Sequence, residues 1–167
     1  PGLKEQPSVG TLVVVDGMAV PGFLLEIDAI ASKDDPATLK RVPFTEMPMD
    51  IAKTVQAGSL VFVAGMEGVD FDKGGKVSPD VMEQVDASAR KIDASLRAAG
   101  LSTADLVKYK MYVKKGNDAN AVRAHFRKAL AKLAGGKQPR AAETLVVVEG
   151  LAGPSLQFEV TAVAAHR

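Results

Sequence analysis

The groups in this chain best equipped to move protons are a carboxylate and a phenol. Glu143 stands just ahead of the apolar run 144–148. A glutamate drawn into an apolar cleft has its pKa raised toward neutrality, where it can act as a general acid or base; a solvated glutamate at the start of a strand is the plainer alternative. Tyr109 and Lys110 lie on one alternating segment, where Lys110 could hold an anionic substrate or simply stand exposed on a half-buried strand. Glu67, Asp70 and Asp72 fall in a stretch rich in Gly and Asp and read as turn acids unless that loop reaches a cleft. His125 shares its segment with Arg123, Arg127 and Lys128, the pattern of a solvated helix face. Pro1 carries a terminal secondary amine, a possible nucleophile that a start after Met removal explains as well.

Other chemistries are excluded. There is no Cys and only two His, which rules out thiolate nucleophiles, disulfides and Cys-based zinc, and leaves too few His for a His-rich metal site. Residues 65–68 and 72–76 lack the Lys-Ser/Thr ending of a phosphate loop. No metal and no cofactor is implied. The 21 basic and 20 acidic side chains nearly cancel, and no basic stripe interleaved with aromatics offers a nucleic acid surface. No apolar run approaches the length of a bilayer span and no targeting signal is read. The expected protein is cytoplasmic, with a small molecule as partner and no nucleic acid or membrane partner.

The elements that must position these groups follow from the apolar pattern. Runs 11–15 and 23–31 are dense in β-branched and aliphatic residues and predict two strands joined by a turn around Asp16, Gly17 and Pro21. Residues 32–42, with Asp34, Asp35 and Pro36, read as a linker. Residues 50–56 and 59–65 predict a hairpin turning at Gly58, followed by a loop over 66–76. Ser78 as cap with Pro79 and Asp80 predicts a helix, in which Val81, Val85, Ile92 and Leu96 recur at helical spacing before Gly100. Residues 106–113 alternate as a strand, with Leu106, Lys108, Lys110 and Tyr112 on one face. Asn117 then caps a helix carrying Val122, Phe126, Leu130 and Leu133 up to Gly135 and Gly136. Residues 144–148 and 157–164 predict a closing strand pair. The order β-β-α-β-α-β-β gives an α+β domain, two helices covering one face of a mixed sheet.

The first strand pair is repeated at the other end of the chain. Residues 11–17 match 144–150, and at the same offset Pro21, Glu26, Ala29 and Ala31 match Pro154, Glu159, Ala162 and Ala164. An ungapped register that preserves Gly, Pro and Glu as well as Val points to duplication. The expected organisation is an extra β-hairpin at 1–31, the remnant of a preceding module, a linker at 32–42, and a whole module at 43–167. An extra hairpin with open edges must dock on a sheet.

Four segments carry a family likeness: 58–65, then Gly75-Lys76-Val77 with a helix bearing Gln84, then 98–108 running into Tyr112 and Val113, then 159–164. In order and spacing residues 43–167 resemble the reactive-intermediate deaminase (Rid, or YjgF-type) family. The resemblance implies a chorismate-mutase-like subunit forming a homotrimer, with ligand clefts between subunits. It also implies hydrolysis of imines and enamines of the 2-aminoacrylate type to a 2-keto acid and ammonia. In the active branch an Arg on the strand before the final turn clamps the substrate carboxylate, helped by a C-terminal acid and by a Tyr and a Ser of the first hairpin. Here Glu143 falls at the Arg position, and Arg140 can fill that role if the loop 135–142 bulges. Ile51 stands for the Tyr, Ala64 for the Ser and Thr161 for the acid, while Asp28 keeps an acid in the repeated segment. Two functions follow from the resemblance. One is a diverged hydrolase with Glu143 as acid or base, Arg140 or Lys110 as anion contact, and Tyr109, Thr161 and Ala64 lining the site. The other is a non-catalytic trimer that binds a metabolite or a protein.

Overall fold

Asp80 starts the first helix, α1 (Val81–Ala98), by accepting a hydrogen bond from the Met82 amide. Ser78, expected as the cap, instead accepts from the Asp80 amide and shapes the approach. The second helix, α2 (Ala119–Leu133), is capped by Asp118, which accepts from the amides of Asn120 and Ala121. Asn117, expected there, donates its side-chain amide to the Lys114 carbonyl. Both helices place the predicted apolar stripe inward: Val85, Ile92 and Leu96 of α1 and Val122, Phe126 and Leu130 of α2 are fully buried. This computed structural model describes residues 7–18, 20–45 and 50–166.

The strands are β1 (Val13–Val14), β2 (Lys40–Pro43), β3 (Ala52–Ala57), β4 (Leu60–Glu67), β5 (Val69–Asp70), β6 (Lys76–Val77), β7 (Leu106–Lys114), β8 (Ala142–Val148), β9 (Gly150–Leu151) and β10 (Phe158–Ala165). Six of them form one sheet in the order β2-β3-β4-β10-β7-β8. All its pairings are antiparallel except β7 with β8, which run parallel because α2 carries the chain back between them. The helices cover one face. Against them pack Val63, Met66, Met111, Val113, Phe158 and Val160, and Phe126 sits between Tyr109 and Phe158 with ring centroids 5.5 and 5.4 Å away. The α+β class with two helices on one face of a mixed sheet is the one expected from the pattern.

Several expectations are corrected. Residues 144–148 and 157–164 do not form a hairpin: β7 lies between β8 and β10, and β10 fills the middle of the sheet. The stretch 23–31 forms no strand, and its Phe23, Leu24, Leu25, Ile27 and Ile30 are all exposed. Only Val13 and Val14 of the first run are a strand, paired with Leu151 and Gly150 of β9. The extra hairpin therefore does not form: its first strand pairs with β9 and residues 23–31 pair with no strand. The region 32–42 is not all linker, since β2 is hydrogen-bonded to β3 and extends the sheet by one strand. The loop expected at 66–76 contains the small ribbon of β5 and β6. Leu106 does not share a face with Lys108, because a bulge at Val107 turns Leu106 into the core and leaves Val107 exposed.

Gln84, completely buried in α1, holds the connection into β10. Its amide donates to the carbonyls of Ser78 and Ser155 and its oxygen accepts from the Gln157 amide. A Cβ on Gly68 would collide with this side chain, so that position requires glycine. Gln84→Ala leaves three polar backbone groups unsatisfied and opens a cavity, and is expected to cost about 2–4 kcal/mol in urea denaturation.

Candidate functional site

The side chains singled out in the sequence separate onto opposite faces of the sheet. Alternation along β8 turns Glu143 toward α2. There its carboxylate accepts from the Tyr109 hydroxyl at 2.5 Å and from Nε of Arg123 and Arg127, each at 2.7 Å. Burial alone would raise the pKa of Glu143, but the hydrogen bonds from Tyr109 and Arg127 and the charge of Arg123 reverse this and hold it below the ordinary carboxylate range. Tyr109 is correspondingly pushed up to about 12, by burial and by its bond to Glu143. An ionised carboxylate gripped by two guanidinium groups is a poor proton donor near neutrality. The cluster instead ties β7 and β8 to α2. Ala64 is buried in the core. Arg140 stands exposed in the connection ahead of β8, outside the strand that would aim it. His125 is bonded to Asp86 at 2.8 Å, joining α2 to α1.

Lys110 and Thr161 belong to the opposite, open face, where they are register partners on β7 and β10. The neighbouring row across the sheet reads Glu67, Glu159, Tyr112 from β4 through β10 to β7. Glu67 is thus a strand residue facing Glu159 and not a loop acid. The Lys110 ammonium lies 5.9 Å from the centroid of the Tyr112 ring. Burial raises the pKa of Tyr112, as does the charge of Glu159.

Glu159 is the group that the sequence reading passed over. It is only 2% exposed and is raised to about 8, first by burial and then by the charge of Glu67, against an opposing pull from Lys91. Glu67 is raised as well, by burial. One oxygen of Glu159 accepts from the Thr11 hydroxyl, and the other is buried without a hydrogen-bond partner. A Cβ on Gly65 would overlap both the carboxylate and that hydroxyl, so glycine makes the room. The segment that brings Thr11 there is pinned by two backbone bonds, from the Gly65 amide to the Gly10 carbonyl at 3.0 Å and from the Ala52 amide to the Ser8 carbonyl at 2.9 Å. The Gly65 amide is available because β4 carries an extra residue opposite Thr161, which interrupts the ladder to β10. The sequence signal for Glu159 was present, an acid between Phe158 and Val160 in an apolar strand. Thr11 gave none, since only the fold brings it near.

Two shallow grooves open elsewhere. One is lined by Lys40, Thr54, Gln56 and His166, the other by Ser78, Lys114, Asn117 and Gln157. Neither is lined by a carboxylate, so the open-face cluster is the better chemical candidate. Among the described residues no group of three acid or His side chains is gathered to hold a metal ion. No helix among them is long and apolar enough to cross a membrane.

This arrangement, two helices on one face of a mixed sheet with a polar row on the other, is that of a chorismate-mutase-like subunit. The Endoribonuclease L-PSP family model matches residues 50–166, and the chain belongs to that family, the Rid or YjgF family. It is 36% identical to a RutC family protein of Pyrococcus horikoshii over 84 residues, 48% of this chain and 67% of that protein. It is 39% identical to the 2-iminobutanoate/2-iminopropanoate deaminase of Salmonella typhimurium over 72 residues, 43% of this chain. That match spans 56% of the deaminase. The crystal structure of the E. coli YjgF gene product superposes with a TM-score of 0.63 at 29% identity, covering 76% of this chain and 94% of that one. E. coli TdcF with bound serine gives 0.63 at 25% identity, with the same coverages.

The two carboxylates are expected to act oppositely on stability. Glu143, with a lowered folded pKa, stabilises above the ordinary carboxylate range, and that contribution is lost as pH falls through it. Glu143→Gln should cost about 1 kcal/mol at pH 7, the scale of a partly exposed ion pair, and flatten the loss in acid. Glu159, with a raised folded pKa, contributes fully below its unfolded value of 4.5, and stability then falls as pH rises to about 8. Denaturation of Glu159→Gln across that window should show a shallower fall, with Glu67 supplying what remains.

Proposed function

We propose that this chain binds a small imine, enamine or related carbonyl compound over the open face of its sheet and hydrolyses it with release of ammonia. On this reading it works as a homotrimer with the ligand held between subunits. The observation that carries the proposal is the buried carboxyl of Glu159, neutral near pH 7 and flanked by Glu67 and Tyr112. A neutral carboxyl can donate to an imine nitrogen and make its carbon electrophilic. Water then adds to that carbon, giving up a proton to the Glu159 carboxylate. The carbinolamine collapses as the carboxyl protonates its nitrogen, so that ammonia leaves, the hydroxyl proton returns to Glu159 and the carbonyl product remains. On this proposal Lys110 attracts an anionic group on the substrate, a role supported by its position opposite Thr161 on the open face. The name of the Salmonella relative and the serine bound to E. coli TdcF favour a small substrate related to an amino acid.

One observation favours a second reading, ligand binding without turnover. Thr11 sits on the Glu159 carboxyl, and a substrate that reaches it has to displace the segment around residues 8–11. Thermal stabilisation by small keto or amino acids with no ammonia released from any imine would decide for binding alone.

The deciding experiment is ammonia release from imino acids generated in solution. Turnover by the unaltered chain is expected, with a rate that declines as pH rises through about 8 because the protonated form of Glu159 is the active one. Glu159→Gln should lower kcat by about 100-fold or more, while Lys110→Ala should act mainly on KM. Unchanged turnover in Glu159→Gln would remove the proposed acid.

A further inference from the structure

The exposed segment 23–31 has a counterpart whose surroundings are known. In the repeat register it corresponds to residues 156–164, which contain most of β10. In β10, Phe158, Val160, Ala162 and Ala164 face the helices and are buried. Their equivalents Leu25, Ile27, Ala29 and Ala31 are all apolar, and Glu26 and Asp28 fall on the opposite face where Glu159 and Thr161 stand. The pattern is that of a strand covered on one side. Yet Leu25 is 68% and Ile27 78% exposed, and the segment pairs with no strand. The likeness extends upstream, since Gly2 and Lys4 match Gly135 and Lys137 at the same offset. Residues 1–31 thus stand in register with residues 134–164, which follow α2.

The pairing of β1 fits this assignment. Strand β8 meets β7 along one edge, and the Val148 carbonyl on that side accepts from the Lys115 amide. Successive carbonyls of a strand point to opposite edges, so the Val147 carbonyl points away from β7. Val14 is the repeat equivalent of Val147, and its carbonyl is the one that accepts from the Glu149 amide. The contact of β1 with this module thus uses the edge that β8 keeps free, and leaves unused the edge with which a β8-type strand pairs to a β7-type strand.

From these observations we infer that residues 11–31 are the β8-, β9- and β10-type segments of a second module of the same fold, and that residues 23–31 are the surface on which its β4- and β7-type strands close. The partner is a stretch of polypeptide equivalent to residues 40–133, joined ahead of the repeated segment as the register dictates. A further copy of this chain does not serve as it stands, because its own β10 already occupies the gap between β4 and β7. The completed module would carry Glu26 and Asp28 on its open face, two acids where this module has Glu159 and Thr161.

A tandem protein tests this: residues 40–133 placed directly before Pro1 of the full chain, followed by hydrogen exchange with mass spectrometry. Amides of residues 25–31 should slow by about 100-fold or more relative to the chain alone, as those of a closed central strand do. Ile27→Lys should abolish that protection in the tandem protein while leaving β10 protected. Amides that exchange as fast in the tandem protein as in the chain alone overturn the inference. A second variant does not depend on the added segment folding: residues 23–31 are written in place of 156–164 in the full chain. A cooperative thermal transition supports the inference, and loss of the transition contradicts it.

Discussion

The whole sheet hangs on β10. It pairs with β4 on one edge and β7 on the other, and its helix-facing side chains are buried from Phe158 to Ala164. A strand enclosed in this way tolerates little: every backbone group must meet a partner, and each side chain must suit the face it lands on. The irregularities nearby are adjustments to that demand. The extra residue of β4 opposite Thr161 and the bulge at Val107 are where β4 and β7 each depart from a regular ladder with that central strand. Gln84 serves the same end, fixing the Ser155 to Gln157 approach so that Phe158 enters in register.

The helices and most strands of the domain were legible because their signals are local. Apolar spacing in α1 and α2, alternation in β7 and the turn at Gly58 each follow from a few adjacent residues. The pairing of β3 with β4 was legible from that turn, but the neighbours of the later strands were not, and residues 144–148 and 157–164 show why. Two apolar runs joined by a Gly- and Pro-containing turn look like a hairpin, yet the parallel crossover through α2 places β8 at the edge and leaves the middle for β10. The caps slipped by one or two residues because Ser78, Asp80, Asn117 and Asp118 are all competent caps. The stretch 23–31 failed differently: its pattern is that of a strand, but a pattern does not supply a partner.

The candidate site shows the same division between local and distant information. Glu143 drew notice from its position in the sequence, but its chemistry is set by Arg123 and Arg127 one helix away, which turn a prospective acid into a structural anchor. Glu159 gained its character from the opposite circumstance, a carboxyl facing another carboxyl across β4 and β10 with only a hydroxyl to hold it. In one chain, two glutamates are shifted in opposite directions because of which face of the sheet they meet.

The position of β10 also sets an order of events during synthesis. It follows every other element of the domain along the chain, so a ribosome releases β2, β3 and β4, then β7 and β8, before the strand that joins them. Until then the nascent chain holds two partial sheets whose β4 and β7 edges are open templates for any extended apolar segment. Residues 23–31, which carry the pattern of β10, emerge well before either edge exists. The domain therefore matures with a near copy of its keystone strand already waiting in solution, tethered to the same chain.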